Sequence, residues 1–224
     1  MTLADIIKRF RLDRDDLETP YLWSAKEIMS YLTSAMNEAC ERALLIEDST
    51  TAACCTVTLV AAQHTYALSN SVIQVKRVTY DGVRIDETSI EQLDSDDASW
   101  ESRLGAPTQF VMLGMNSMRL VPAPTTATVA DVATVKITVY RKPLLPYTSD
   151  SDTDAELEIP GVYHERLLEW MYRCALMKND TETIDLDKAA SHERIFEAAF
   201  GVRPDANVQR KRRDRRLPVT RYVW

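Results

Sequence analysis

Residues 24–46 read SAKEIMSYLTSAMNEACERALLI and carry the strongest helix signal in the chain. Ser24 and Glu27 have the spacing of a capping box, in which each side chain accepts a hydrogen bond from the other residue's backbone N–H. Apolar residues then recur every three or four positions, and polar residues occupy the opposite face. We therefore expect one amphipathic helix from Ser24 to Ile46 that packs on one side only.

The sequence after this helix favours β structure, and residues 52–142 predict an antiparallel β region. Asp81 and Gly82 signal a hairpin, because glycine tolerates the positive φ of a tight turn. The strand-like segments are rich in β-branched residues and bounded by turn-forming residues. They are residues 54–60, 72–78 and 135–141, with a second hairpin over residues 109–121.

Helical periodicity returns after Pro160, which is well placed in the first turn of a helix because its missing N–H would be unpaired there. Leu167, Met171 and Ala175 form an apolar face. A further helix is expected from about Ile184 to Phe200, followed by a glycine cap.

These patterns predict an α+β fold. It consists of a helical bundle built from the N- and C-terminal helices, an inserted antiparallel β domain and an extended C-terminal tail. The predicted boundaries are 1–50 and 158–202 for the bundle, 51–145 for the β domain, 146–157 for an acidic loop and 203–224 for a basic, aromatic tail.

Charge is distributed unevenly along the chain. The net charge is −7, but the last 22 residues carry +6 and residues 1–202 carry −13. The tail also ends in strand-forming and aromatic residues, which suit the addition of a strand to a neighbour's sheet edge with Trp224 anchored in a pocket. The predicted partner-binding residues are Arg210, Lys211, Arg212, Arg213, Arg215, Arg216, Val219, Tyr222, Val223 and Trp224.

Motifs that carry chemistry are weak in this sequence. The four cysteines form no C-x-x-C pair, the vicinal Cys54 and Cys55 suit neither zinc nor a usual disulfide, and five glycines leave no phosphate-binding loop. The aspartates at 150, 152 and 154 begin like a calcium loop, but Ala155 and Gly161 stand where it needs Gly and Glu. The three histidines are scattered, and His164 opens a helix where a surface position is expected. We therefore predict that the protein is not an enzyme and that it has no catalytic, cofactor or metal site.

No apolar run approaches the ~18 residues that span a bilayer, so no membrane partner is expected. The apolar residues of the first ten positions have helical spacing and lack the order of a signal peptide. A short amphipathic helix lying on the protein's own core is predicted there.

Two blocks of the sequence resemble one known protein family, the head-to-tail adaptor (connector) proteins of tailed phages, especially short-tailed phages. The first block comprises Tyr21-Leu22-Trp23-Ser24, Glu27-Ile28, Tyr31-Leu32, Ala35, Glu38 and Arg42. The second runs from Leu157 to Gly201, with Ile159-Pro160, Tyr163-His164, Leu167-Leu168, Ala175, Ala189-Ala190 and Phe196 to Phe200. Between them, Tyr66-Ala67-Leu68-Ser69, Gly105-Ala106-Pro107 and Leu120-Val121-Pro122-Ala123-Pro124 stand where the family places its β domain.

The resemblance implies a ring of about twelve subunits beneath the portal, which extends the DNA channel. The implied partners are the portal protein, neighbouring adaptor subunits and tail or nozzle proteins, with DNA passing through the channel without sequence-specific binding. The implied location is the head–tail interface of the virion, and the host cytoplasm during assembly. The acidic body agrees with this role, because a negative channel wall lets DNA slide.

Two other functions remain open at this point. A nucleic-acid-binding protein that uses the basic tail would bind with an affinity that falls steeply with salt, but this leaves Trp224 and the acidic body unexplained. An enzyme of unrecognised type would need a concave pocket with perturbed titratable groups.

Overall fold

The structure is a computed structural model of the 224-residue chain, and it describes residues 1–114, 116–144, 146–147, 154–179 and 183–205. The chain forms two compact units. Unit 1 comprises Met1–Ile46 and Lys142–Arg203, and unit 2 is built on Glu47–Arg141. Across the described residues, no helix combines the length and apolar character needed to cross a membrane.

The described residues contain seven α-helices and eight strands. The helices are α1 (Leu3–Asp13), α2 (Ala25–Ala43), α3 (Ala52–Cys55), α4 (Ile90–Asp96), α5 (Thr126–Asp131), α6 (His164–Leu176) and α7 (Leu186–Phe200). The strands are β1 (Ile46–Asp48), β2 (Thr56–Thr58), β3 (Thr65–Ala67), β4 (Val72–Tyr80), β5 (Val83–Glu87), β6 (Gln109–Met112), β7 (Ser117–Val121) and β8 (Thr134–Arg141). Single 3-10 turns occur at Trp100–Ser102 and Gly161–Tyr163.

Unit 1 is built around α6, which packs against α1, α2 and α7. Aromatic rings fill its interior: Phe10 meets Trp23 edge-on at 5.7 Å between ring centroids, and Trp170 lies 4.9 Å from Phe196. Such pairs add favourable quadrupole contacts to the burial of large apolar area. Leu3, Ile6 and Phe10 of α1 are fully buried, so the first helix lies on the core as its apolar spacing predicted.

The capping box at the start of α2 is confirmed. Ser24 Oγ accepts a hydrogen bond from the Glu27 backbone N–H at 3.2 Å, and the Glu27 carboxylate accepts one from the Ser24 backbone N–H at 2.8 Å. The predicted end of the helix at Ile46 is wrong. Leu44 has φ of 52°, in the left-handed region, which stops the helix at Ala43 and turns the chain into β1.

Unit 2 contains a sheet with the strand order β1-β8-β4-β5-β6-β7-β3, and β2 also pairs with β8. The hairpin predicted at Asp81 and Gly82 is confirmed, since both residues have positive φ and β4 pairs with β5 in antiparallel register. The second hairpin is also confirmed, with Phe110 opposite Leu120. Side chains of Val78, Val135 and Val139 are fully buried beneath the sheet.

The predicted fold class is wrong. The chain has a mixed α/β fold dominated by an eight-stranded curled sheet, not a helical bundle that carries a smaller antiparallel insertion. Three strands have only three residues each, too few for a clear alternation of apolar and polar positions. In addition, β5 and β6 pair in parallel, which depends on long-range register, and Cys54 and Cys55 lie in α3 instead of a strand.

Replacement of Ser24 by alanine is expected to lower the free energy of unfolding by about 1 kcal/mol, because the first turn of α2 loses its capping acceptor. Urea denaturation followed by circular dichroism measures the change. Ser30→Ala is the matched control: it is an exposed serine inside the same helix, where alanine has the higher helix propensity. An equal loss in both variants would contradict the capping argument.

Glu27 also gives unit 1 a defined acid sensitivity. The Lys178 ammonium, 2.8 Å from the carboxylate, together with the Ser24 backbone N–H, lowers the pKa of Glu27 from 4.5 to about 2. The ionised form is favoured in the folded state, so this contribution is complete above about pH 4.5 and disappears as the pH falls toward about 2. The stability difference between the wild type and Glu27→Gln should shrink over that interval. Glu165→Gln, an exposed carboxylate at the start of α6, serves as the comparison.

Candidate functional sites

The ten partner-binding residues predicted in the tail lie outside the described residues. They are Arg210, Lys211, Arg212, Arg213, Arg215, Arg216, Val219, Tyr222, Val223 and Trp224. Asp150 and Asp152 of the predicted acidic loop lie outside them as well.

The described chain reaches α2 just before this tail. Arg42 donates a hydrogen bond from Nη1 to the Gly201 carbonyl at 3.1 Å. Arg203 lies 3.7 Å from the carboxylates of both Glu38 and Glu41. Gly201 and Arg203 are therefore both held against α2.

A polar cleft of about 550 Å³ runs along the same helix. Its carboxylates are neutralised, because Glu38 pairs with Arg42 at 2.8 Å and Glu41 pairs with Lys142 at 2.5 Å. The lining residues are Lys26, Ser30, Thr33, Ser34, Asn37, Glu38, Glu41, Lys142, Pro146 and Tyr147. This set includes hydroxyl groups but no histidine to activate them, so the cleft is suited to holding a polar segment more than to nucleophilic chemistry.

The expectation that His164 lies on the surface is wrong. His164 is buried, its Nε2 lies 2.7 Å from the Ile159 carbonyl, and its Nδ1 lies 3.2 Å from the Met1 amine. Both ring nitrogens are thus engaged in holding chain segments of unit 1 together. The sequence contained no signal for the contact with Met1, since it joins residues 163 positions apart.

His192 is the described group that most resembles part of a catalytic triad. Its Nδ1 lies 2.7 Å from the Glu169 carboxylate, which would orient the ring as in a hydrolase. Its Nε2, however, lies 2.9 Å from the Arg14 guanidinium. An arginine offers only donors and stays charged, so it cannot act as a nucleophile that the imidazole activates. The arrangement connects α1, α6 and α7 instead.

Asp48, at the end of β1, is the most heavily engaged carboxylate in unit 2. It accepts hydrogen bonds from the backbone N–H groups of Thr50 and Thr51 at 2.9 and 3.0 Å, and from the Thr51 hydroxyl at 2.7 Å. The Arg141 Nε, on the neighbouring strand β8, lies 2.6 Å away. Burial alone would raise the pKa of Asp48, but the hydrogen bonds from Thr51, Thr50 and Arg141 outweigh burial and lower it.

The thiols of Cys54 and Cys55 face the same carboxylate. Ligand-type atoms of Asp48, Cys54 and Cys55 lie within 4.8 Å of one another, which is the spacing of a possible metal site. Two observations weigh against a cation. Arg141 already places a positive charge on Asp48, and burial together with Cys54 raises the pKa of Cys55 to about 12, whereas metals bind thiolates. The prediction of no metal site stays a prediction.

The two cysteines by themselves gave no sequence signal for this cluster. The available signal was an aspartate followed by Ser49, Thr50 and Thr51, since aspartate side chains accept hydrogen bonds from backbone N–H groups just ahead of them. The partner on β8 had no such signal, because the pairing of β1 with β8 joins residues 93 positions apart.

Asp48→Asn should destabilise the protein by roughly 3–5 kcal/mol, because it removes the buried negative charge that the Arg141 Nε contacts at 2.6 Å. Glu47→Gln is the matched control: Glu47 pairs with Lys76 in solvent, and its loss should cost at most about 1 kcal/mol. Chemical denaturation measures both. The double variant Asp48→Leu/Arg141→Met should be more stable than Asp48→Asn, and equal costs for Asp48→Asn and Glu47→Gln would disprove the role of Asp48.

Comparison with known proteins identifies the family of the chain. No curated protein matches it. The family model described as SU10 adaptor protein matches residues 1–222 and so covers both units. A match of this extent bears out the resemblance to phage head–tail adaptors seen in the sequence. The chain belongs to the SU10 adaptor protein family, a family of phage head–tail adaptors.

Proposed function

We propose that this protein is a structural subunit of a ring that joins the portal of a phage head to the tail and extends the DNA channel. The observation that carries the proposal is the family match over residues 1–222. A family of phage adaptors implies association with other head and tail proteins and a place in the virion. Ring assembly, portal attachment and the absence of enzymatic activity are the parts that we propose.

The local chemistry of the described residues supports a structural role. Within unit 1, His164 contacts the Ile159 carbonyl and the Met1 amine, and His192 contacts the Arg14 guanidinium. Asp48 and the neighbouring thiols form hydrogen bonds within unit 2. In these three places, polar groups that could serve a reaction are instead satisfied by structural contacts.

We further propose that the tail attaches the subunit to the portal. Arg203 contacts Glu38 of α2, and six basic residues follow in the sequence between positions 210 and 216. These charges would speed encounter with an acidic surface. Val219, Tyr222, Val223 and Trp224 would then pair as a strand and bury an aromatic anchor, which slows release.

Trp224→Ala is expected to weaken binding to purified portal by about 30-fold or more, the equivalent of an aromatic hot spot of about 2 kcal/mol. The loss should lie in a faster dissociation rate, measured on immobilised portal, while circular dichroism shows an unchanged fold. Trp224→Phe, which keeps an aromatic ring, should retain most of the affinity.

The basic residues of the tail allow a separate test. Replacing the six basic residues at 210–216 with glutamine should slow association and flatten its salt dependence. Portal attachment that survives deletion of residues 217–224 would refute the anchor. Competition by duplex DNA for the portal-binding tail would favour the nucleic-acid function instead.

A further inference from the structure

The outer surface of the sheet in unit 2 presents a row of polar side chains. Thr56 on β2 is opposite Lys136 on β8, Lys136 is opposite Thr79 on β4, and Thr79 is opposite Arg84 on β5. Residues adjacent to this row along the strands are buried and form the core: Val57, Val78, Ile85, Val135 and Ile137. Because successive side chains of a strand point to opposite faces, the row lies on the face away from the core.

A bulge in β4 adds charge to this surface. The register of β4 against β8 shifts between Val75 and Arg77, and both Lys76 and Arg77 are exposed. In a regular strand, one of two consecutive residues would point into the core, so the bulge re-aims a side chain. We call the set Lys76, Arg77, Arg84 and Lys136, with Thr56, Thr79 and Thr138, the basic face.

The basic face stands out within an acidic unit. Residues 47–141 contain eleven acidic and seven basic side chains, and four of the seven basic ones are on this face. Glu47 neutralises Lys76 at 2.6 Å, and Asp86 lies 3.7 Å from Arg84. Arg77 and Lys136 have no carboxylate within 4.0 Å among the described residues. Lys136 instead donates to the Thr56 hydroxyl at 2.9 Å.

The complementary charge is carried by α4. Glu91, Asp94 and Asp96 are exposed, and in the described part of the chain none of them pairs with a lysine or arginine. Asp94 accepts a hydrogen bond from the indole N–H of the buried Trp100 at 2.7 Å, which fixes the helix in place. We call these three residues the acidic turn.

We propose that the basic face of one subunit binds the acidic turn of a second copy of this chain. The two surfaces differ, so the contact is heterologous, and repetition of such a contact closes a ring when the rotation between subunits permits it. The inference rests on the proposed function as a ring subunit, and it supplies a candidate for the contact between neighbours. It does not involve the tail.

The charges favour a second copy over DNA. Two uncompensated cations match an acidic turn of three carboxylates, which gives a near-balanced contact. Strong binding to the backbone of duplex DNA can neutralise many phosphates, for example about 6–10. The basic face offers far fewer cations than that, and the surrounding unit is acidic.

Charge reversal tests the contact by sedimentation over a concentration series at low salt. Arg77→Glu/Lys136→Glu and Glu91→Lys/Asp96→Lys should each self-associate at least about tenfold more weakly than the wild type. A 1:1 mixture of the two variants should recover association, because each reversed surface then meets its complement on the other protein. Lys8→Glu/Arg166→Glu, which changes exposed basic residues of unit 1 by the same net charge, should behave as the wild type.

Several outcomes would overturn the proposal. They are a wild type that remains monomeric throughout the series, variants that self-associate normally, or a mixture that does not recover. Loss of duplex DNA binding in Arg77→Glu/Lys136→Glu with intact self-association would assign the face to DNA instead. Portal attachment through the tail is measured separately, so failure of this contact between subunits is distinguishable from failure of portal attachment.

Discussion

The buried ion pair between Asp48 and Arg141 is the constraint on which the organisation of unit 2 depends. Asp48 ends β1 and Arg141 ends β8, and these are the points where the chain enters and leaves this unit. The chain between these points begins and ends on the neighbouring strands β1 and β8, and closing so long a loop costs conformational entropy. The ion pair offsets part of that cost only because Thr50 and Thr51 satisfy the remaining lone pairs of the carboxylate.

Local signals in the sequence predicted the parts of the fold that local chemistry determines. The capping box at Ser24 and the tight turn at Asp81 and Gly82 need only residues close in sequence, and both are present. The sheet was underestimated because its shortest strands and its parallel pair are fixed by distant partners. Tertiary pairing of this kind leaves almost no trace in a three-residue segment.

The candidate sites divide in the same way, into one visible in the local sequence and others that depend on distant contacts. The tail was found from composition alone, since a basic run followed by strand formers and tryptophan is visible without any structure. The Asp48 cluster and the basic face were not found. The first needs the pairing of β1 with β8, and the second depends on a bulge that places Lys76 and Arg77 on one side of β4. Bulges redirect side chains against the alternation from which sequence reasoning starts.

The shielding of the cysteines has a consequence for the lifetime of the particle. Cys40, Cys54 and Cys55 are buried, Cys174 is half-buried, and burial raises the pKa of both Cys55 and Cys174. A virion leaves the reducing host cell and meets dissolved oxygen, where an exposed thiolate would oxidise or couple to its neighbour. Burial shields the thiols of Cys40, Cys54 and Cys55 from solvent oxidants and from the thiols of neighbouring molecules, which disfavours cross-links through these sulfur atoms.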